Sequence, residues 1–377
     1  MKTSVLLSED CIKIGDELCC ISKDANIIYT INLIDKNVNL LGCIPEENIY
    51  AQRLGAKIVC WNDKLIFIPL NAEKIWIWNL KSKEWINFEL KKYKSNSGNL
   101  KMFQGIVFND KLYMIGHNYP AIICLDLINN NISYIEEPFD RLHEKKRYLK
   151  DCYFICEYVQ KDQYIYIASS VENLVLKFDL DSNNFWWIEV GDEKNRYSGI
   201  AWDGENFWLA PRENTPIIKW NGKEEVTEYP LPDLFEKPKK YFLGIIFDGK
   251  QLILPGMGQP NTIIINNSNA CNMEIVHGQY VCYKRINEDL IVSQRIDGEV
   301  NVINRNGEII KCSSRIDTKQ LIDFLEDKIK NGVQGVSDTI IKESKLIDLD
   351  IFCTVSARTK KDVKIQSDVG KRIWETV

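Results

Sequence analysis

The residues best suited to bind a ligand lie in short loops that each follow an apolar strand. The first six of these loops carry an asparagine shortly before the next strand, and the seventh carries an aspartate: Asn26, Asn71, Asn118, Asn173, Asn214, Asn261 and Asp297. Each amide would either complete a local turn by binding nearby backbone or join its counterparts in a polar ring. Such a ring would suit a ligand rich in hydroxyls or amides.

Charged and aromatic side chains stand among these asparagines: His117, Tyr119, Glu172, Arg212, Glu213, Gln259, Arg295 and Asp297. A guanidinium can hold a carboxylate or a phosphate through two parallel hydrogen bonds, so Arg212 and Arg295 are candidate anion-binding residues. The alternative interpretation is structural, with both arginines forming salt bridges between repeats to Glu172, Glu213 or Asp297.

Evidence for catalysis is weaker. The sequence contains no nucleophile elbow, phosphate-binding loop, dinucleotide-binding fingerprint or zinc-protease motif. It has only three histidines, which would all have to converge on a metal, and we predict neither a metal nor a cofactor. A glycosidase or lyase could draw a pair of carboxylates from Glu172, Glu213 and Asp297.

The elements that carry these loops repeat along the chain. Residues 103–115, 197–209 and 242–254 each comprise an apolar strand, an Asn-Asp or Asp-Gly turn and a second apolar strand, and residues 57–68 follow the same order. A further hairpin completes each unit, as at residues 75–85, so a unit is a meander of four strands, a to d. The first apolar residue after the turn recurs every 38 to 52 residues, which is close to the blade length of propeller repeats.

The second hairpin resembles that of the kelch and galactose-oxidase-like propellers, because strand c ends in Asp or Asn and Leu, and a polar turn and Trp or another apolar residue follow. The resemblance covers about residues 10–312. It departs from the kelch pattern at the end of strand b, where pairs such as Ile68-Pro69 replace the double glycine. It implies an all-β fold, a β-propeller of about seven four-stranded blades, with six as the alternative. Proteins of this kind include interaction modules and enzymes.

The pattern divides the chain into a propeller, residues 1–313, and a small α/β C-terminal tail, residues 314–377, packed on it. We expect the strand at residues 3–7 to pair with the short seventh unit and close the ring, because closure removes an exposed strand edge.

The tail begins with a predicted helix. Asp317 would cap its start and Gly332 would end it. The apolar stripe of this helix is Leu321, Ile322, Leu325 and Ile329. Residues 345–356 are predicted to be extended, and residues 370–375 to form a final helical turn. The tail would be either a flap on the propeller rim or a docking segment for a partner.

Composition restricts the partners and the compartment. The net charge of −5 gives no basic footprint for nucleic acid, and no stretch approaches 18 consecutive apolar residues. The twelve cysteines include no CxxC pair, and many lie in apolar strands as small hydrophobic residues. With no signal peptide recognised at the N-terminus, we expect a reduced, cytoplasmic protein. The Ile-, Asn- and Lys-rich composition is typical of an AT-rich bacterial genome.

One face of the propeller is the predicted site. The d–a connections, about residues 89–102, 136–151 and 230–241, are long, and they share a face with the b–c loops that carry the asparagines. The sequence therefore favours a non-catalytic binding propeller that recognises a glycan or a peptide at this long-loop face. The alternatives are a carbohydrate-active enzyme at the same channel mouth and a protein-interaction scaffold.

Overall fold

The computed structural model describes residues 3–93, 100–145, 152–155, 157–232, 242–256, 261–266, 272–277, 280–286, 289–294, 298–304 and 308–331. Predictions for residues 345–356 and 370–375 and for the helix end at Gly332 fall outside these ranges.

Seven four-stranded antiparallel sheets follow one another, and the strands of each pair in chain order. The first three sheets contain β2 (Ser8–Ile14), β3 (Glu17–Ser22), β4 (Ile28–Asn32), β5 (Val38–Gly42); β6 (Gly55–Trp61), β7 (Lys64–Pro69), β8 (Lys74–Asn79), β9 (Trp85–Glu89); and β10 (Met102–Phe108), β11 (Lys111–Gly116), β12 (Ile122–Asp126), β13 (Ile132–Ile135).

The next two sheets contain β14 (Val159–Lys161), β15 (Tyr164–Ala168), β16 (Leu174–Asp179), β17 (Phe185–Glu189); and β18 (Tyr197–Trp202), β19 (Phe207–Pro211), β20 (Ile217–Trp220), β21 (Val226–Tyr229). The last two contain β22 (Ile246–Phe247), β23 (Gln251–Leu254), β24 (Asn261–Asn266), β25 (Asn272–His277); and β26 (Tyr280–Ile286), β27 (Asp289–Gln294), β28 (Glu299–Ile303), β29 (Ile309–Ser313). The number of four-stranded sheets agrees with the predicted seven blades.

The composition of each strand matches its burial. Strand b of the second sheet, β7, is buried at every position after Lys64, and it reads as an unbroken apolar run because both of its faces are covered. Strand d of the same sheet, β9, is largely exposed and mixes polar with apolar residues. The a–b turns need left-handed backbone, which Asn62, Asn109 and Asp162 adopt with φ values of 51°, 47° and 54°.

The apolar core is divided among the interfaces between neighbouring sheets. Ile66 and Ile68 of the second sheet pack with Leu112 and Met114 of the third. Comparable clusters join the other neighbouring pairs for which side chains are described, including the seventh sheet and the first. Each sheet therefore depends on its neighbours for burial, as expected of stacked repeats.

The prediction that residues 3–7 complete the seventh sheet is wrong. The strand β1 (Thr3–Val5) pairs instead with β30 (Arg315–Asp317) in a separate two-stranded sheet, and the seventh sheet supplies all four of its own strands. The ring closes where β2 of the first sheet contacts β26 of the seventh. The pairing of β1 with β30 ties the N-terminal segment to the chain that follows the propeller.

The described ranges contain two helices beside the sheets. The helix α2 (Thr318–Lys330) is capped as predicted, since the Asp317 carboxylate accepts a hydrogen bond from the Gln320 amide at 3.1 Å. Its Leu321 and Leu325 are buried in the cluster between the seventh and first sheets. A second helix, α1 (Glu137–Lys145), occupies the connection at residues 136–151, for which the sequence predicted only a long loop. Neither helix is long and apolar enough to span a membrane, and the same holds for the whole described part of the chain.

Candidate functional site

Backbone hydrogen bonds join the loops of successive sheets on the long-loop face. The amide of His117 donates to the carbonyl of Lys101 at 2.7 Å, and the amide of Tyr153 donates to the carbonyl of His117 at 2.7 Å. The amide of Ser170 then donates to the carbonyl of Tyr153 at 2.9 Å. The b–c loop of the third sheet is thereby fixed against the chain that enters the fourth sheet, and that chain is fixed in turn against the b–c loop of the fourth.

The centre of the ring is a channel with a cavity of about 550 Å³. The first strands of six sheets line it, and most wall residues are apolar. Polar side chains interrupt this wall, among them Lys57, Gln104 and Glu157, and Asp10 borders it behind Lys57. Asp10, Lys57 and Gln104 each follow a shift of register between strands a and b, so they occupy equivalent positions in three successive sheets. A bulge of this kind re-aims the side chain beside it.

Three of these side chains form a charged group near the long-loop end of the channel. Lys57 Nζ lies 3.6 Å from Asp10 Oδ1 and 3.8 Å from Glu157 Oε1. Asp10 is fully buried and also accepts a hydrogen bond from the Ile58 amide at 2.8 Å. The side chains of Lys57 and Glu157 keep 15% and 24% of their exposure, so solvent reaches both. Burial, together with the charge of Glu157, raises the pKa of Tyr158 to about 12.

The sequence prediction did not include this charged group. The sequence does contain a signal for it. In each of the first three sheets, a polar residue interrupts the apolar first strand at the same distance from the hairpin turn. Glu157 has the equivalent position in the fourth sheet, but it lies before the short strand β14 and outside any strand, with a φ of 49°.

A second polar cluster lies on the long-loop face across the third to fifth sheets. It contains His117 and Arg212, both predicted, together with Cys152 and Ser170. Arg212 Nη1 donates to Ser170 O at 2.7 Å and to Ser170 Oγ at 2.8 Å, and Cys152 Sγ lies 3.6 Å from Ser170 Oγ. His117 acts on the thiol both through its charge and as a hydrogen-bond partner.

The electrostatics of this cluster favour a thiolate. Burial alone would raise the pKa of Cys152, but the charge and hydrogen bond of His117, the charge of Arg212 and the hydrogen bond of Ser170 lower it to about 6. The sequence prediction treated the strand cysteines as small hydrophobic residues. That description fits Cys19 and Cys43, whose pKa values burial raises to about 12.

Two other predicted residues have contacts of a structural kind, and a third has a buried oxygen without a partner. The Tyr119 side chain is 1% exposed, packs edge-on against Tyr93 and donates its hydroxyl to the Lys91 carbonyl at 2.6 Å. The Asn173 amide donates to the Gly191 carbonyl at 3.2 Å. Asn118 Oδ1 is buried with no hydrogen-bond partner.

The remaining predicted residues are spread around the loops. Arg141 of α1 contacts Glu172, with Nε 3.3 Å from Oε2. Glu213 and Asn214 are exposed in the b–c loop of the fifth sheet. Asn261 begins β24, and three predicted residues lie outside the described ranges: Gln259, Arg295 and Asp297.

The loops also differ in the role of their asparagines. The amides of Asn26 and Asn71 bind backbone of the neighbouring loop: Asn26 Nδ2 donates to Ile44 O at 2.8 Å, and Asn71 Nδ2 donates to Gln52 O at 2.9 Å. These two side chains therefore tie their b–c loops to a neighbouring d–a connection. The described residues contain no group of three or more His, Cys, Asp or Glu side chains that could hold a metal ion.

Radially packed four-stranded sheets around a central channel define the chain as a β-propeller, and solved structures support this class. The virginiamycin B lyase from Staphylococcus aureus is 15% identical with a TM-score of 0.55, covering 82% of this chain and 98% of its own. BamB from Moraxella catarrhalis is 12% identical with a TM-score of 0.51, covering 83% and 90%. YCF48 from Cyanidioschyzon merolae is 11% identical with a TM-score of 0.53, covering 82% and 95%.

At these identities the likeness shows the fold alone. No family model matches the chain, and no curated protein matches it.

Proposed function

We propose that this propeller binds a small polar ligand, a glycan unit or a peptide segment, at the long-loop end of its central channel. The observation that carries the proposal is the pairing of Lys57 and Glu157 at the wall of a cavity of about 550 Å³. Cavities of roughly 300–1,000 Å³ with apolar walls and a few polar groups are typical of small-ligand sites.

The chemistry of the pair favours a ligand with both donors and acceptors. The ammonium of Lys57 can donate to a hydroxyl, carbonyl or carboxylate oxygen, and the carboxylate of Glu157 can accept from a hydroxyl or an amide. Asp10, which is fully buried, holds the ammonium in place from the other side. Because both groups are already positioned, binding would cost little ordering of side chains.

A ligand screen tests the proposal. Purified protein is screened by thermal shift against oligosaccharides and short peptides, because a ligand that binds only the folded state raises the melting temperature. A hit is then measured by calorimetry with the Lys57→Met and Glu157→Gln variants. We expect each to weaken binding at least tenfold.

The matched control is Lys81→Met, which breaks the exposed pair between Lys81 and Asp63 on the opposite face. That variant should bind like the wild-type protein. Binding that survives both channel substitutions, or no hit in either library, would overturn the proposal.

An enzyme acting on a carbohydrate at the same mouth is the second candidate. It is favoured by the two carboxylates that flank Lys57, those of Asp10 and Glu157, and among solved propellers of this fold are the virginiamycin B lyases. Turnover of a bound sugar that Glu157→Gln abolishes would select this candidate, whereas binding without turnover would exclude it. A scaffold role would instead require a protein partner whose binding is unchanged by the Lys57→Met and Glu157→Gln substitutions.

The eight cysteines with described side chains are free thiols, which supports a reducing, cytoplasmic location.

A further inference from the structure

The cluster of Cys152, His117, Ser170 and Arg212 has the composition of a reactive thiol site. Three separate loops contribute to it: the b–c loops of the third, fourth and fifth sheets supply His117, Ser170 and Arg212. The chain after α1 supplies Cys152. Two backbone hydrogen bonds hold this chain between the loops, from Tyr153 to His117 and from Ser170 to Tyr153. The four side chains therefore have fixed positions.

Two side chains that can carry a positive charge border the sulfur. Arg212 is 7% exposed, and its guanidinium reaches the sulfur through Ser170, whose hydroxyl lies 2.8 Å from Nη1 and 3.6 Å from Sγ. His117 borders the thiol and favours its ionised form, and its Nδ1 is buried with no hydrogen-bond partner. A buried group bordered by a guanidinium and an imidazole is stabilised as an anion, and the thiolate is the nucleophilic form of cysteine.

Access to the sulfur is narrow. Cys152 is 7% exposed and Ser170 is 3% exposed, whereas His117 is only partly buried and forms the solvent-facing side of the cluster. An exposure this small keeps a bulky disulfide or a peptide away from the sulfur and favours a small electrophile. Hydrogen peroxide and small hydroperoxides are the electrophiles of that size that thiolates attack.

We propose that Cys152 is a peroxide-reactive thiolate, with His117 as its proton acceptor and Arg212 as the group that stabilises developing negative charge. The thiol first gives its proton to His117. The sulfur then attacks the nearer peroxide oxygen, a sulfur–oxygen bond forms and the oxygen–oxygen bond breaks. Hydroxide leaves and takes the proton back from His117 as water. Cys152 is oxidised by two electrons to the sulfenic acid, and the peroxide is reduced.

The chain provides an internal comparison in Cys60. This thiol is exposed on β6 of the second sheet, and burial together with the charge of Asp63 raises its pKa above the usual value. Accessibility alone would make Cys60 the faster thiol, whereas ionisation makes Cys152 faster. Comparing the oxidation rates of Cys60 and Cys152 therefore shows whether accessibility or ionisation controls the reactivity.

The experiment oxidises the folded protein with hydrogen peroxide, traps sulfenic acid with dimedone, and quantifies the label at each cysteine by peptide mass spectrometry from pH 5 to 9. We expect Cys152 to be labelled several-fold faster than Cys60 at pH 7. Its rate should rise with a midpoint near pH 6, the value to which its surroundings lower its pKa, while that of Cys60 should still be rising at pH 9.

Two variants separate a chemical role from a structural one. His117→Gln should move the midpoint for Cys152 up by at least one pH unit, because it removes the largest charge that favours the thiolate. The matched control is His143→Gln, because His143 Nδ1 lies 2.8 Å from the Tyr153 hydroxyl next along the chain. It should leave the midpoint unchanged. Labelling of Cys152 no faster than that of Cys60, a midpoint above pH 8, or equal effects of the two variants would overturn the proposal.

Discussion

Removal of the Asp10 carboxylate should lower the free energy of unfolding markedly, because this side chain takes part in both a hydrogen bond and an ion pair. Asp10 is 0% exposed, accepts a hydrogen bond from the Ile58 amide at 2.8 Å and pairs with Lys57 at 3.6 Å. In Asp10→Ala the buried Ile58 amide would lose this acceptor, and the loss of a buried hydrogen-bond partner costs about 1–3 kcal/mol. Breaking a buried ion pair from one side costs about 3–5 kcal/mol in total, because the remaining charge is left poorly compensated.

Lys57 retains Glu157 as a second partner, so the lower part of that range is expected, about 3 kcal/mol. The assay is urea unfolding followed by tryptophan fluorescence. Asp10→Asn should lose less, because its side chain still offers an oxygen to the Ile58 amide. A double-mutant cycle with Lys57→Met would isolate the ion pair from the hydrogen bond.

The matched control is Asp63→Ala. Asp63 and Lys81 form an exposed pair at 2.7 Å whose side chains keep 55% and 78% of their exposure, so the loss should be below about 1 kcal/mol. If Asp10→Ala unfolds within about 1 kcal/mol of the wild-type protein, Asp10 is not a structural anchor of the channel, and the argument for a preorganised Lys57 fails with it.

Two further predictions concern backbone space and pH. Gly116→Ala should unfold at a much lower temperature in calorimetry, by more than the about 1–3 kcal/mol typical of overpacking, because its Cβ would lie 1.8 Å from Tyr119 O and 2.8 Å from Ala121 O. Gly42→Ala has nothing within 4 Å and should melt at or slightly above the wild-type temperature, so an equal loss in both would refute the steric argument. The free energy of unfolding of the wild-type protein minus that of Cys152→Ser should grow from pH 6 to 9. Over that range the unfolded thiol, with a pKa of 9.0, still binds its proton while the folded one, with a pKa of about 6, has lost it. This contribution is complete above pH 9 and absent below pH 6, and a flat difference measured by urea unfolding would contradict the assigned thiolate.

The repeat architecture was predictable because it depends on local patterns. Turn residues such as Asn62-Asp63 and Asn109-Asp110 mark the hairpins, and the apolar runs on either side identify strands that are covered on both faces. These signals need no knowledge of distant contacts. The same applies to the start of α2, where Asp317 caps the helix through the amide three residues on.

Ring closure was not predictable from such patterns. The expectation that residues 3–7 join the seventh sheet rested on the need to cover a strand edge, and β30 competes for the same strand. The pairing of two segments more than 300 residues apart depends on where the ring brings them, which the local sequence does not record.

The candidate site also contains residues that the sequence identified and one that it did not. His117 and Arg212 were identified because they are polar residues in loops of the long-loop face. Cys152 was overlooked because its neighbours in sequence do not distinguish it from the buried cysteines of the strands. Its charge state depends on side chains 35 and 60 residues away in the chain, which only the packing of three sheets brings together.

By itself the sequence determined the repeating four-stranded unit, the class of fold and the face on which polar loops gather. These follow from hairpin turns and from the alternation of apolar runs, which are properties of short segments. The tertiary structure alone decided which polar residues meet: Asp10 with Lys57 and Glu157 in the channel, and Cys152 with His117 at the mouth. The physical reason is that charge pairing and desolvation act through space over a few ångströms, and in a propeller the nearest neighbours in space belong to different repeats.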